Sequence, residues 1–347
     1  MVSIASRAMA AARGGELESF ADPEPAGRLS SFVHPEPAQA AGHTDPRDAC
    51  SPPVRTRVRT PDGVGLVAHD FGGDGAAVVC AHATGLHGLV WQPLVARLAP
   101  GYRCVAHDTR GHGDSEPPGN GDFDWRGLAR DVLAVVDTLG TDRPFGLGHS
   151  SGGAALLLAE QARPGTFRGL YCYEPVIVPA DPPLGRGPDS PLARAARRRR
   201  ATFPSREAAY VHYAAKPPFA GVAPAALRAY VDHGFAQRND GSVDLKCDPE
   251  HEARVNEMAA AHDCYCHLGS VDCPVMLACG ADTEAFGPGA VQAQAARLPR
   301  ARTEVVAGLS HLGPLEDPDT VAASAAAFFE AVAGDACVLA NRPGVSP

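Results

Sequence analysis

Residues 145–158 read FGLGHSSGGAALLL and set Ser150 between Gly148 and Gly152, the pattern G-x-S-x-G. An apolar run leads in and a longer one leads out. That context predicts a strand, a sharp turn and a helix, the arrangement of a nucleophile elbow. A turn of that kind lifts the hydroxyl above the sheet, and glycines without a Cβ let neighbouring backbone approach. The helix then directs free N–H groups at any anion that develops beside it. The competing reading is a Ser/Gly-rich turn with no chemistry, and the strand and helix around the motif count against it.

A serine hydroxyl becomes a useful nucleophile only beside a base. His311, in GLSHLGPLEDP, is the candidate, because it follows the last predicted strand in a Gly- and Ser-containing loop before a helix. His82, His107 and His149 lie next to motifs but are less well placed to face Ser150. His107 and His149 read as core or hydrogen-bonding side chains. His212, His233, His251, His262 and His267 have no independent case.

The base in turn needs an orienting carboxylate, and two compete. Asp282, in CGADTEAFGP, follows the seventh predicted strand; Glu174, in YCYEPVIVP, follows the sixth. Both precede His311 in the order Ser, acid, His. Each also has a plain structural reading, as a turn residue or as a charge fixed by a neighbouring proline. The preference falls slightly on Glu174. Backbone donors for a tetrahedral oxyanion are expected from Ser151, directly after Ser150, and from Thr84 in HATGLHG after the third strand.

Elements must hold these groups in place. The segments VRTRVRT and VGLVAHDFG flank Pro61-Asp62-Gly63, a hairpin turn. Strands are predicted at 76–83, 102–108, through PFGLGHS, and at 167–174, 273–280 and 301–308. Helices are predicted near 91–98, at 124–139, after Ser150, and from EDPDT, where Asp317 can cap and Pro318 opens the helix. Alternating strands and helices predict an α/β fold, a mostly parallel eight-stranded sheet with helices on both faces. Residues 176–270 break the rhythm and read as a polar, helical lid inserted after the sixth strand. Its aromatics, Tyr210, Tyr213, Phe219, Tyr230 and Phe235, either shape an apolar pocket or form the lid's own core. Residues 1–53, rich in Pro, Ala, Gly and charge, read as a disordered leader. The division is thus a leader (1–53), a core (54–175 and 271–335), a lid (176–270) and a tail (336–347).

A net charge of −9 over 347 residues argues against a nucleic-acid binder. The basic run ARAARRRR, 193–200, reads as a solvated helix face. Ten cysteines occur without a C-x-x-C, and Cys80, Cys104, Cys172 and Cys279 fall inside apolar strands as small buried hydrophobes. That usage suits a reducing cytoplasm. HDCYCH, 262–267, lacks the paired spacing of a structural zinc site, so neither a metal nor a cofactor is expected. No stretch approaches the roughly 20 apolar residues of a membrane span, and the N-terminus has no apolar core of a secretory signal.

Taken together, Ser150, His311 and the segments around them resemble the α/β-hydrolase family, over roughly residues 54–335. His82-Ala83-Thr84-Gly85 resembles the family's H-G-x-x oxyanion segment, with Ala83 in place of the usual glycine. DTRGHGDS, 108–115, resembles the D-x-R-G-x-G-x-S turn, in which Asp108, Arg110 and Gly111 are structural. SHLGPLEDP resembles the histidine loop G-H-x-x-x-x-E-x-P, with Ser310 replacing glycine. The family most often has Gly-x-x-Asp after the seventh strand; here Gly280 is followed at that spacing by Thr283, with Asp282 one place early and Glu284 one place late. A subset similar to haloalkane dehalogenases and coelenterazine-type luciferases carries Glu after the sixth strand, as YCYEP does. Dehalogenases and epoxide hydrolases use an Asp nucleophile, and Ser150 argues against both.

The resemblance implies a cofactor-free serine hydrolase acting on an ester, lactone or related acyl compound, through an acyl-enzyme and a Ser-His-acid triad. The partner expected is a small-molecule substrate, with no nucleic acid and no membrane span. Two alternatives share the scaffold: a cofactor-free C–C hydrolase, perhydrolase or oxygenase-like enzyme, and a non-catalytic ligand receptor.

Overall fold

The computed structural model describes the backbone of residues 52–340 and side chains through residue 334. All but the last two residues of the expected leader lie outside the described residues, as does the end of the tail. Eight strands form one sheet: β1 (Val54–Arg59), β2 (Gly65–Asp70), β3 (Ala76–Ala81), β4 (Tyr102–Asp108), β5 (Phe145–His149), β6 (Gly169–Tyr173), β10 (Val275–Gly280) and β11 (Ala301–Val306). Their order is β1-β2-β4-β3-β5-β6-β10-β11. β2 runs antiparallel to β1 and β4, and the other pairings are parallel.

Strand periodicity explains the continuous apolar runs. In β3, Val78 and Cys80 point to one face and Val79 and Ala81 to the other, and all four are buried. The first face packs against helices α1 (Gln92–Leu98) and α10 (Pro318–Ala340), through Leu94, Val95, Phe328 and Phe329. The second packs against α2 (Trp125–Leu139), α3 (Ser151–Ala162) and α8 (Pro288–Ala295), through Val132, Leu156 and Val291. Cys80, Cys104, Cys172 and Cys279 have no exposed surface, as their apolar settings suggest. The Asp317 carboxylate accepts from the Thr320 N–H at 3.0 Å and so caps α10, which continues past the expected 335/336 boundary. No helix among the described residues is long and apolar enough to cross a membrane.

The segment between β6 and β10 departs from a purely helical reading. It holds α4 (Pro191–Arg197), α5 (Arg206–Ala214), α6 (Pro224–Gly234) and α7 (Pro249–Glu257). It also holds a small antiparallel sheet of β7 (Thr202–Phe203), β8 (Phe235–Gln237) and β9 (Val243–Leu245), ordered β7-β9-β8. Strands of two or three residues are too short to impose an alternation on the sequence. Tyr213, Tyr230 and Phe235 are buried together with Phe203, and Tyr210 and Phe219 pack against this group. The aromatics pack on one another, Tyr213 against Phe219 and Tyr230 with centroids 5.2 and 5.3 Å apart, in a core continuous with the first face of the sheet. The run 193–200 is not uniformly solvated either. Arg194, Arg197, Arg198 and Arg200 are exposed, whereas Arg199 turns inward to pair with Glu252 and to donate to the Tyr213 and Tyr230 hydroxyls.

HDCYCH is likewise dispersed. Cys264 is buried, the His262 ring stacks on Trp125 with centroids 4.8 Å apart, and His267 is exposed.

Several histidines are sealed in the interior, and this sets an acid limit. Burial depresses His82, His87, His107, His149 and His262, taking His87, His107 and His262 to about 4 and His149 to about 3. In the unfolded chain each returns to about 6.5. Between those values the unfolded state binds more protons than the native state. Stability is therefore fully present above pH 6.5 and is lost as pH falls toward 4. Urea midpoints measured from pH 7.5 to 4.5 should fall progressively below pH 6.5. A flat profile across that range would mean that these rings are hydrated rather than sealed.

Candidate active site

The candidate residues gather at the carboxyl ends of the parallel strands, where α/β sheets place their ligands. Ser150 follows β5 with φ 55° and ψ −118°, a backbone conformation that costs a serine roughly 1–3 kcal/mol and persists only where surroundings enforce it. Two bonds do so: the Ser150 N–H donates to the Tyr173 carbonyl at 3.0 Å, and the Val176 N–H donates to the Ser150 carbonyl at 3.1 Å. The flanking glycines are needed for close approach. A Cβ on Gly152 would overlap the Ala81 carbonyl of β3, and one on Gly148 would overlap the backbone of Gly153.

His311 lies in the loop between β11 and the short helix α9 (Gly313–Glu316). Its Nε2 is 3.1 Å from Ser150 Oγ and its Nδ1 is 2.6 Å from Glu174 Oε2. The loop is tied down on three sides. His149 Nε2 lies 2.7 Å from the His311 carbonyl, and Tyr173 Oη donates to the Ser310 carbonyl at 2.9 Å. The Glu316 carboxylate accepts from the Ser310 N–H at 2.7 Å and from its hydroxyl. Burial first, and the nearby His311 second, push His149 down to about 3. It is therefore neutral at pH 7, and the ring that contacts the carbonyl does so as a donor.

Glu174 follows β6, also with a positive φ, 44°, and has no exposed surface. Burying a carboxylate is costly unless its oxygens find hydrogen-bond partners. Besides His311, it accepts from the Gly280 N–H at 3.0 Å, the Thr283 hydroxyl at 2.8 Å and the Phe286 N–H at 3.4 Å. Asp282 and Glu284 are exposed; the Asp282 N–H donates to the Leu309 carbonyl, and its carboxylate makes no hydrogen bond to His311. Of the competing carboxylates, the fold brings Glu174 to His311 and turns Asp282 to solvent. Thr283, at the spacing where the family most often has Asp, supports Glu174 instead.

After β3, the Leu86 N–H donates to the Ala83 carbonyl at 3.1 Å, closing a turn that needs the positive φ of Gly85, 80°. Ala83 takes no positive φ, so the missing glycine is accommodated. His82 fixes the loop, with Nδ1 2.8 Å from the Ala83 carbonyl and Nε2 accepting from the Thr109 N–H at 3.0 Å. The Thr84 and Ser151 N–H groups have no hydrogen-bond partner among the described residues. From the following turn, Arg110 is buried and makes a bidentate pair with Asp131. Asp108 accepts from the Gly88 N–H at 2.7 Å and the Asp114 N–H at 2.8 Å, so both residues serve the scaffold. Sequence reasoning gave no role to Thr283, Glu316, Tyr173 or Arg199. Glu316 stands in the quoted histidine-loop pattern, which was the available signal for it.

Residues 78–324 match the family model described as alpha/beta hydrolase family. The chain belongs to the alpha/beta hydrolase family. The hydrolase is 29% identical over 237 residues to a non-heme chloroperoxidase of Streptomyces lividans, covering 65% of this chain and 82% of the relative. It is 29% identical over 283 residues to a non-heme haloperoxidase of Rhodococcus erythropolis, covering 79% and 98%. Among solved structures, E-2-(acetamidomethylene)succinate hydrolase aligns with a TM-score of 0.67 at 20% identity, over 80% of this chain and 99% of the other, which speaks to the fold. These relationships make the chain an α/β-hydrolase enzyme.

Proposed function

We propose that this hydrolase cleaves an ester, lactone or related acyl bond through a covalent acyl-enzyme, with Ser150 as nucleophile, His311 as base and Glu174 as the orienting acid. The observation that carries the reading is the continuous chain from Ser150 Oγ through His311 to a buried Glu174, with contacts of 3.1 and 2.6 Å. In the first step Ser150 Oγ bonds to the carbonyl carbon and its proton passes to His311 Nε2. The carbonyl π pair moves onto oxygen, where the Thr84 and Ser151 N–H groups receive it. Collapse expels the alcohol, which takes the proton from Nε2. Water then adds to the acyl carbon by the same route and releases the acid. Glu174 keeps the imidazole in the tautomer that accepts at Nε2 and stabilises the imidazolium. Residues 176–270 are read as the cap over this site.

A second reading differs only in the acceptor. Two relatives bear haloperoxidase names, and hydrogen peroxide attacking the acyl-enzyme in place of water would release a peracid.

The test is reaction with an aryl fluorophosphonate, followed by peptide mapping. Stoichiometric labelling on Ser150, with parallel loss of p-nitrophenyl ester turnover, is the expected outcome. An unlabelled, folded protein would overturn both readings and favour a non-catalytic receptor. Peracid formation from ester and peroxide, measured beside hydrolysis, separates the two acceptors.

A further inference from the structure

Two hydroxyls next to Ser150 have more protons than partners. Thr84 Oγ1 and Ser151 Oγ lie 2.9 Å apart and are hydrogen-bonded. Neither makes another side-chain hydrogen bond among the described residues. One bond uses one of the two hydroxyl protons. Whichever oxygen donates, the other hydroxyl's proton has no acceptor among the described residues; Thr84 is partly exposed. Ser151 is 5% exposed, so it is poorly placed to give that proton to bulk water.

The placement of this spare donor is specific. It is carried by the two residues whose N–H groups are unspent, one on the loop after β3 and one at the first position of α3. The hydroxyl bond bridges these two elements, 67 residues apart in sequence, at the residue that directly follows Ser150.

Resting on the acyl-transfer reading above, we propose that the Thr84–Ser151 hydroxyl pair is a side-chain arm of the oxyanion hole. Its free O–H donates to the tetrahedral oxyanion, beside the two N–H groups. A substrate carbonyl is a modest acceptor, whereas the oxyanion accepts a shorter, charge-assisted bond. The donation therefore strengthens as the Ser150–carbon bond forms, and it lowers the barrier more than it tightens substrate binding. The bond between the hydroxyls keeps the free proton oriented before reaction begins, so little reorganisation is needed.

The test compares Thr84→Val, Ser151→Ala and Thr84→Ser with the parent on one p-nitrophenyl ester. A trifluoromethyl ketone, whose carbonyl carbon adds Ser150 Oγ to give a stable oxyanion, serves as the second probe. Thr84→Val and Ser151→Ala are each expected to lower kcat by between about 10- and 100-fold with KM nearly constant, somewhat less than loss of a principal backbone donor. Ketone affinity should fall in parallel with kcat/KM, and Thr84→Ser should recover most of what Thr84→Val loses. If both variants are folded by circular dichroism but keep kcat and ketone affinity within about twofold, the pair is only a structural clasp and the proposal falls. If the parent itself fails to react with the fluorophosphonate, the acyl-transfer reading fails instead. Labelling of the parent and of both variants thus separates the two failures.

Discussion

Ser150→Ala is expected to retain its fold and to lose ester turnover by on the order of 10³-fold or more. Among the described residues the Ser150 hydroxyl hydrogen-bonds to His311 alone, at 3.1 Å, so removing the oxygen breaks no other side-chain hydrogen bond. The two backbone bonds that hold residue 150 in its strained conformation involve its N–H and carbonyl and survive the change. The urea midpoint should therefore shift little while fluorophosphonate labelling disappears. Turnover unchanged in a preparation free of contaminating esterase would remove Ser150 from the mechanism altogether.

Glu174→Gln and Asp282→Asn should separate sharply. An amide at 174 can turn its NH2 toward His311 Nδ1, which would force the proton onto Nε2, the nitrogen that must accept from Ser150. A loss in kcat of about 10³- to 10⁴-fold is expected, with KM much less affected. Asp282 is exposed and makes no hydrogen bond to His311, so its amide should stay within about twofold of the parent. Equal, mild effects at both positions would show that the imidazole is oriented by something else.

These two residues also mark where sequence stops being informative. Ser150 and His311 stand out in the chain because their signals are local: a glycine-flanked serine between a strand and a helix, and a histidine between the last strand and a proline-opened helix. The apolar character of β3, β4 and β5 is equally local, and the sheet could be read from the way such strands alternate with helices along the chain. The acid is a different problem. Glu174 and Asp282 follow neighbouring strands, and composition does not say which carboxylate turns inward. Donors from β10 and the loop after it decide the matter, the Gly280 N–H and the Thr283 hydroxyl, over 100 residues away from Glu174. Arg199 illustrates the same limit. It is one arginine in a run, and what distinguishes it is Glu252, 53 positions later.

That arginine has a consequence for how the enzyme could be re-engineered. Glu252 of α7 and the phenols of α5 and α6 meet at the guanidinium of Arg199, just past α4, and a Cβ at Gly85 would lie 2.9 Å from Glu252 and 3.1 Å from Arg199. The charged pair thus fills the hollow behind the turn that presents Thr84. Grafting another enzyme's insertion onto this sheet would empty that hollow unless the graft brought its own filler. The insertion and the turn beneath it are not interchangeable modules; they must be exchanged as one unit.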